Sequence, residues 1–257
     1  MRNALAICRR ELLSFFVSPI AYFVITGFLL LAAYFFFVLL AQFNVFLFQY
    51  RQMQFMGGGS APNLNQWVIE PYYHTLVVVL VFLIPLLTMR IFAEEKKRGT
   101  FELLVTSPLS VGEIVFGKFL SVAVVIVIMM LLIFAFPLLL CIAGNPEIYP
   151  VLSGLLGIVL CALGFAAIGM AVSSFTENQI VAGVSAMVAL LLLYVIHSPA
   201  QSLGGIGAEI LTNMSPVMQI RDLIRGVISL KAVVYFVSLI SVGLFLSLRA
   251  LEAHRWR

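Results

Sequence analysis

Apolar residues in this chain come in long unbroken runs, without the alternation or the 3.6-residue spacing that a water-facing element shows. Runs near spanning length occupy residues 19–42, 74–89, 119–143, 151–173, 180–197 and 232–248. Each approaches the ~20 residues that a helix needs to cross the hydrocarbon core of a bilayer. Lipid offers no partner to an open backbone N–H or C=O, so such runs predict helices. The pattern predicts an all-α, polytopic membrane protein with about six transmembrane helices in a single transmembrane domain over residues 1–257. The second and fifth runs are short, and need tilt, local thinning or continuation into a flanking helix.

Polar positions mark the joints. In residues 1–17, Arg2, Asn3, Arg9 and Arg10 fall on one side of a helix while Leu5, Cys8, Leu12 and Phe16 fall on the other, which predicts an N-terminal interfacial helix. Ser18-Pro19 reads as an N-cap followed by proline at the first helical position, starting the next helix at a new angle. Gly57-Gly58-Gly59-Ser60-Ala61-Pro62 has the composition of a loop. The stretch 198–230 is broken by Pro199, Gly204, Gly205 and Gly207, after which Ser215-Pro216 opens a short helix that Gly226 closes. Broken apolar segments of this kind dip into the membrane or line a cavity. Ser110 with Glu113, directly before the third run, reads as a capping box.

Composition strengthens the membrane reading. Hydrophobic residues make up 63% and charged residues 10% of the chain, against roughly 45–50% and about 25% in soluble domains. The net charge of +4 does not point to nucleic acid, because the basic residues are scattered or gathered in one short cluster, with no stripe interleaved with exposed aromatics. Cys8, Cys141 and Cys161 form no C-x-x-C pair and have no His at ligand spacing, so no disulfide framework or metal site is expected. The first apolar run exceeds a signal-peptide core and lacks a cleavage site, so it is expected to stay in the mature protein.

Loop charges orient the chain. With the N-terminus inside, 11 Lys and Arg residues lie on the cytoplasmic side and 4 outside, namely Arg51, Arg221, Arg225 and Lys231. The positive-inside rule therefore puts both termini in the cytoplasm. No run contains a charged residue, whereas carriers driven by ions or protons place costly charges near the midplane. The motive energy is expected from outside the chain. The fourth run is rich in small residues, from Gly154 and Gly157 through Gly164 and Gly169 to Ala171, which permit close packing within the subunit or between subunits.

The densest charge lies between the second and third runs, where Glu94, Glu95, Lys96, Lys97, Arg98 and Glu102 stand within nine residues. After it, Gly99 or Thr100 caps a two-turn helix, about 99–107, on which Phe101, Leu104 and Val105 share a face, and Ser107-Pro108 ends it. So short a helix is marginal alone and needs a packing partner. Gly112 to Lys118 satisfies G-x-x-x-x-G-K, but Phe119 stands where a phosphate loop needs Ser or Thr, and a capped turn stands where it needs a strand. Lys118 instead reads as a snorkelling residue at the inner membrane surface. An intramembrane protease is not supported: there is no G-x-S-x-G, and His74, His197 and His254 lie at helix ends or in the tail.

The string TMRIFAEEKKRGTFELLVTSPLSVGEIVFGKFL, from Thr88 to Leu120, resembles the region between the second and third spans of ABC-2 type permeases, the membrane subunits of type-2 ABC exporters. SPVMQIRDLIRGVISLKAVVYF, from Ser215 to Phe236, resembles the gliding-motility and copper-maturation branch of that family. The resemblance implies a multi-pass permease of the bacterial inner membrane that couples ATP hydrolysis by a separate cytoplasmic ATPase to export of a substrate. It assigns the ATPase contact to Glu94, Glu95, Arg98, Gly99, Thr100, Phe101, Glu102, Leu103, Leu104, Thr106, Ser107 and Pro108, with a smaller contact at Glu177, Asn178 and Gln179. The chain then binds no cofactor and is no enzyme itself, ATP and Mg being held by the partner. The implied partners are ABC ATPase subunits, a second permease copy or paralogue, lipid, and an extracytoplasmic accessory protein. The alternative is a membrane anchor or assembly scaffold that passes ATPase motion to an outer partner without transport.

Overall fold

A computed structural model describes residues 2–54, 62–97, 99, 109–144, 146–198 and 205–255. Helix α1 (Arg2–Val17) stops at a bend on Ser18, and α2 (Pro19–Gln54) starts on the proline. Proline has no N–H to strand in a first turn and its φ already suits a helix, so a new axis begins there. The Gly57–Ala61 part of the glycine-rich segment lies outside the described residues. A π-helical turn (Asn65–Ile69) leads into α3 (Glu70–Thr88), and past Met89 the chain continues as α4 (Arg90–Lys97). Then come α5 (Val111–Ala143), α6 (Ile148–Phe175), α7 (Gln179–Val195), α8 (Ile206–Met214), α9 (Pro216–Ile224) and α10 (Leu230–Arg255). No strand occurs among the described residues.

Five helical stretches are long and apolar enough to cross a membrane: Ala21–Gln52, Asn65–Lys97, Val111–Ile142, Ile148–Phe175 and Leu230–Ala253. The apolar α7 has 17 residues, about 25 Å at 1.5 Å per residue, just short of the ~30 Å core. The chain is thus an all-α polytopic membrane protein. Most of the helices outrun their apolar runs, α2 reaching Gln54 where its run ends at 42. The run at 74–89 sits inside a helical stretch of 33 residues, and the run expected from Phe119 is helical from Val111. Hydropathy reports where lipid lies, whereas a helix ends where its backbone finds other partners. For α5 that partner is the capping box: Glu113 N–H donates to Ser110 Oγ at 3.2 Å, and Ser110 N–H to Glu113 Oε2 at 3.3 Å.

Helix α6 holds the bundle together, and its small residues are why the others come close. A Cβ at Gly154 would collide with the Tyr73 ring of α3, and one at Gly169 with Thr88 Oγ1. At Gly157 it would meet Leu223 Cβ of α9 at 3.0 Å, and at Gly164 Leu239 Cδ2 of α10 at 2.8 Å. All four glycines therefore pack within the subunit, which resolves the choice that composition leaves open. Tyr73 adds a polar tie, its hydroxyl donating to Val151 O at 2.7 Å. Opposite faces turn outward with exposed Phe23, Tyr34, Val184, Leu192 and Phe245, an apolar surface suited to lipid.

The bundle has two unlike ends. Helix α1, α4 and the starts of α5 and α7 meet at one, called here the basic end. The π turn, the start of α6, and α8 and α9 form the other. There, Pro216 opens α9, which buries Ile220, Leu223 and Ile224 against α6. Gly226, at φ +93°, reverses the chain in a conformation that costs a glycine little. By contrast α8 buries none of its residues, and Ile206 and Ile210 are exposed. Residues 199–204, within the segment expected to be broken, lie outside the described residues.

Candidate functional site: the junction at the basic end

Helix α1 packs on α5 along the face of Ala4, Ile7, Cys8 and Phe15, all buried, while Leu5, Leu13 and Val17 stay exposed on another side. The approach is close because of Gly117. A Cβ there would lie 2.7 Å from Ala4 O and 2.9 Å from Ile7 Cβ. The glycine of the near-match to a phosphate loop thus serves helix packing. It also brings Glu11 over the residue that follows it, Lys118.

Lys118 is 1% exposed, so it does not snorkel as its position in the sequence suggests. Its Nζ lies 3.1 Å from Glu11 Oε1 of α1 and 2.9 Å from Glu95 Oε1 of α4. It also donates to Ile91 O at 3.0 Å and sits 5.5 Å from the centre of the Phe92 ring. Arg10 Nη2 closes the set, 2.6 Å from Glu11 Oε1 and 3.1 Å from Glu95 Oε1. Two cations and two carboxylates sum to zero. That balance makes burial of the ammonium tolerable, since an isolated charge there would cost several kcal/mol. Burial alone disfavours the Glu11 carboxylate, but Lys118 and Arg10 beside it hold its carboxyl below the usual range. The Arg10 guanidinium is held above its ordinary value, first by its hydrogen bond to Glu11, with Glu95 adding to it against the cost of burial.

The rest of α4 is tied as firmly. Arg90 Nη1 donates to Ser18 Oγ at 2.8 Å and its guanidinium lies 5.0 Å from the Phe15 ring centre, fixing the α1–α2 corner. Ser173 Oγ of α6 donates to Met89 O at 3.0 Å and accepts from Phe92 and Ala93 N–H, both at 3.3 Å. Lys96 Nζ donates to Ser174 O at 2.6 Å. Gln179 Nε2 of α7 donates to Glu94 Oε2 at 3.3 Å. One eight-residue helix is therefore bonded to α1, α5, α6 and α7.

Of the residues that the resemblance marks as the ATPase contact, Glu94, Glu95 and Gly99 are described. Arg98, Thr100, Phe101, Glu102, Leu103, Leu104, Thr106, Ser107 and Pro108 lie outside the described residues, and with them the expected helix over 99–107. Glu94 and Glu95 both face the bundle through the bonds above. Gly99 is exposed at φ +69°, and its N–H donates to Lys96 O at 3.1 Å. This is the left-handed turn that ends a helix, so Gly99 terminates α4. In the smaller contact Glu177 is exposed, Asn178 Oδ1 caps α7 by accepting from Ile180 N–H at 2.9 Å, and Gln179 joins Glu94. Glu94 and Gln179, 85 positions apart in sequence, thus meet at one place.

Sequence reasoning missed Arg10, Glu11 and Lys118 as a unit. A signal was there: Glu11 is the one acidic residue of α1 and stands at i+4 and i+3 from Ile7 and Cys8, on the face that α5 covers. Among the described residues no group of three or more His, Cys, Asp or Glu is placed to hold a metal, and all three cysteines are free.

Comparison with known families agrees with this architecture. A family model described as ABC-2 family transporter protein matches residues 9–250. No curated protein matches the chain. Members of that family are membrane subunits that work with a separate ATPase and carry no ATPase site themselves, in keeping with the failed phosphate-loop match at Gly112–Phe119. The match runs from within α1 to within α10 and contains the charged residues of the junction, so the chain belongs to the ABC-2 family of transporter proteins, as a permease subunit of an ABC transporter.

Proposed function

We propose that the segment following α4, residues 98–108, docks a cytoplasmic ATPase, and that the junction passes its motion into the bundle. The observation that supports this is the anchoring of α4. A push on the chain beyond Gly99 reaches α1, α5, α6 and α7 together, because α4 is bonded to each. Phe101 and Leu104 would fill a groove on the partner and Glu102 would set register. The basic end is then cytoplasmic, both termini face the cytoplasm of a bacterial inner membrane, and cargo moves outward. ATP and Mg belong to the ATPase. A second copy of the chain, or a paralogue, completes the pathway, and the Ser215–Phe236 string favours the gliding-motility and copper-maturation branch.

The test is association. An ATP-hydrolysing subunit co-expressed with this chain should co-purify with it, and a Phe101→Asp, Glu102→Arg variant should insert normally yet lose that subunit. Association that survives the double change would remove residues 98–108 from the contact. Glu95 is best left alone, because reversing it would break the Lys118 pairing inside the membrane domain.

A second reading draws on α8, whose apolar residues are exposed at the opposite end. There the chain would serve as an anchor or scaffold, relaying ATPase motion to an extracytoplasmic accessory protein without transport. A reconstituted complex would then hydrolyse ATP while moving no cargo.

A further inference from the structure

We propose that the end of the bundle opposite the junction binds a phospholipid whose head group carries a primary ammonium and a phosphate. The site is two cavities that meet. The first, of about 420 Å³, is the more polar, with Asn63, Asn65, Gln66, Glu70, Glu147 and Arg225 beside the apolar Pro150 and Ile224. The second, of about 650 Å³, is lined largely by apolar groups, among them Leu40, Phe43, Leu47 and Leu140. Asn63 and Glu147 line both, so the more polar cleft lies side by side with the more apolar groove.

The polar part has a defined chemical demand. Asn65 is 7% exposed. It is held by the π turn, where Glu70 N–H donates to Asn65 O and the following residue, Pro71, has no N–H to restore the regular ladder. Its Nδ2 donates to Glu147 O at 3.4 Å, which fixes the amide, and its buried Oδ1 has no donor. Buried acceptors are nearly always satisfied, so this one calls for an N–H or O–H from a ligand. The exposed Glu147 carboxylate, which has no hydrogen-bond or ion-pair partner among the described residues, calls for that donor to be positive. Arg225 supplies the opposite charge. Its Nε pairs with Glu70 Oε1 at 3.0 Å, and the half-exposed guanidinium keeps further N–H groups for a phosphate.

A cation that donates hydrogen bonds, an adjacent anion and an apolar chain describe an amine-bearing phospholipid. The depth agrees. Trp67, stacked on Phe46 at 4.1 Å and still 46% exposed, and Tyr149, 81% exposed, flank the polar cleft in sequence. Tyr and Trp collect at head-group level. The inference stands apart from ATPase coupling, since it needs no partner subunit.

The test is native mass spectrometry of the full chain in detergent, titrated with phosphatidylethanolamine, phosphatidylcholine and phosphatidylglycerol of identical acyl chains. Choline keeps the positive charge but has no N–H, and glycerol has hydroxyls but no cation. Phosphatidylethanolamine should bind about tenfold tighter than either, a difference of one decade in Kd. Glu147→Gln, a change on an exposed side chain, should erase that preference, and so should Asn65→Leu if it folds. Equal binding of the three lipids, or a preference that survives Glu147→Gln, overturns the proposal. Free phosphoethanolamine should compete only weakly. Competition as strong as that of the whole lipid would show a polar small-molecule site that makes no use of the groove, and would also overturn it.

Discussion

Lys118 Nζ stands 2.9 Å from Glu95 Oε1, so an almost fully buried cation at the start of α5 is held by the helix that leads into the candidate docking segment. The same ammonium reaches Glu11 of α1. Three helices thus share one charge, and the position of α4 depends on groups that lie far from it in sequence.

Removing that charge should be expensive. Lys118→Met leaves Glu11 and Glu95 close together in a mostly dry site with Arg10 as their remaining cation, and breaking buried ion pairs from one side costs about 3–5 kcal/mol. The lower end applies here, because the carboxylates keep 15% and 19% of their surface. The thermal unfolding midpoint in detergent should fall clearly. A triple variant that adds Glu11→Gln and Glu95→Gln should regain much of the loss, since it removes the stranded charges as well. A single variant as stable as the parent would mean that the network does not stabilise the fold.

The same network makes stability depend on acid. The folded Glu11 carboxyl sits below its usual value, so the unfolded chain takes up its proton first as pH falls. The stabilisation is fully present above the unfolded value of about 4.3. It is lost as pH drops from there through the folded value. Unfolding midpoints measured between pH 7 and pH 3 should show this loss in the parent and less of it in Glu11→Gln. Parallel curves for the two proteins would remove Glu11 as its source.

Close packing on α6 gives a test of the fold itself. Gly169→Ala would drive a methyl group into Thr88 Oγ1 and to 3.0 Å from Thr88 Cβ, where the threonine is fully buried. Overpacking of this kind costs about 1–3 kcal/mol. In a Thr88→Ala background the penalty should shrink, which a double-mutant cycle would register as coupling between the two sites. Gly207→Ala, where a Cβ meets nothing within 4 Å, is the control and should carry no penalty, since alanine suits a helix better than glycine. Equal costs in both Thr88 backgrounds would contradict the contact.

The features legible in the sequence are those decided by a few neighbouring residues. Partition into lipid follows from local apolar content, so the helical runs can be read directly. The break at Ser18-Pro19, the capping box of Ser110 and Glu113 and the turn at Gly226 rest on contacts or backbone angles within a few positions. A local density of charge from Glu94 to Glu102 marks the end of α4 and the start of the candidate docking segment, of which Gly99 alone is described. Helix ends are less legible, because Val111 and Lys97 mark where capping and neighbouring helices take over from lipid.

What lies beyond that reach is the set of contacts between distant segments. Whether Lys118 is solvated or buried depends on opposite charges and hydrogen bonds within a few ångströms, and α1 and α4 bring these only once the bundle has assembled. Gly117 looks like part of a phosphate loop until α1 lies across it. The glycines of α6 permit close packing with any partner, and Tyr73, Leu223, Leu239 and Thr88 decide which one. Composition sets the solvent a helix prefers, while burial and pairing are properties of the whole arrangement, so the six apolar runs could be read from the chain and the junction that joins them could not.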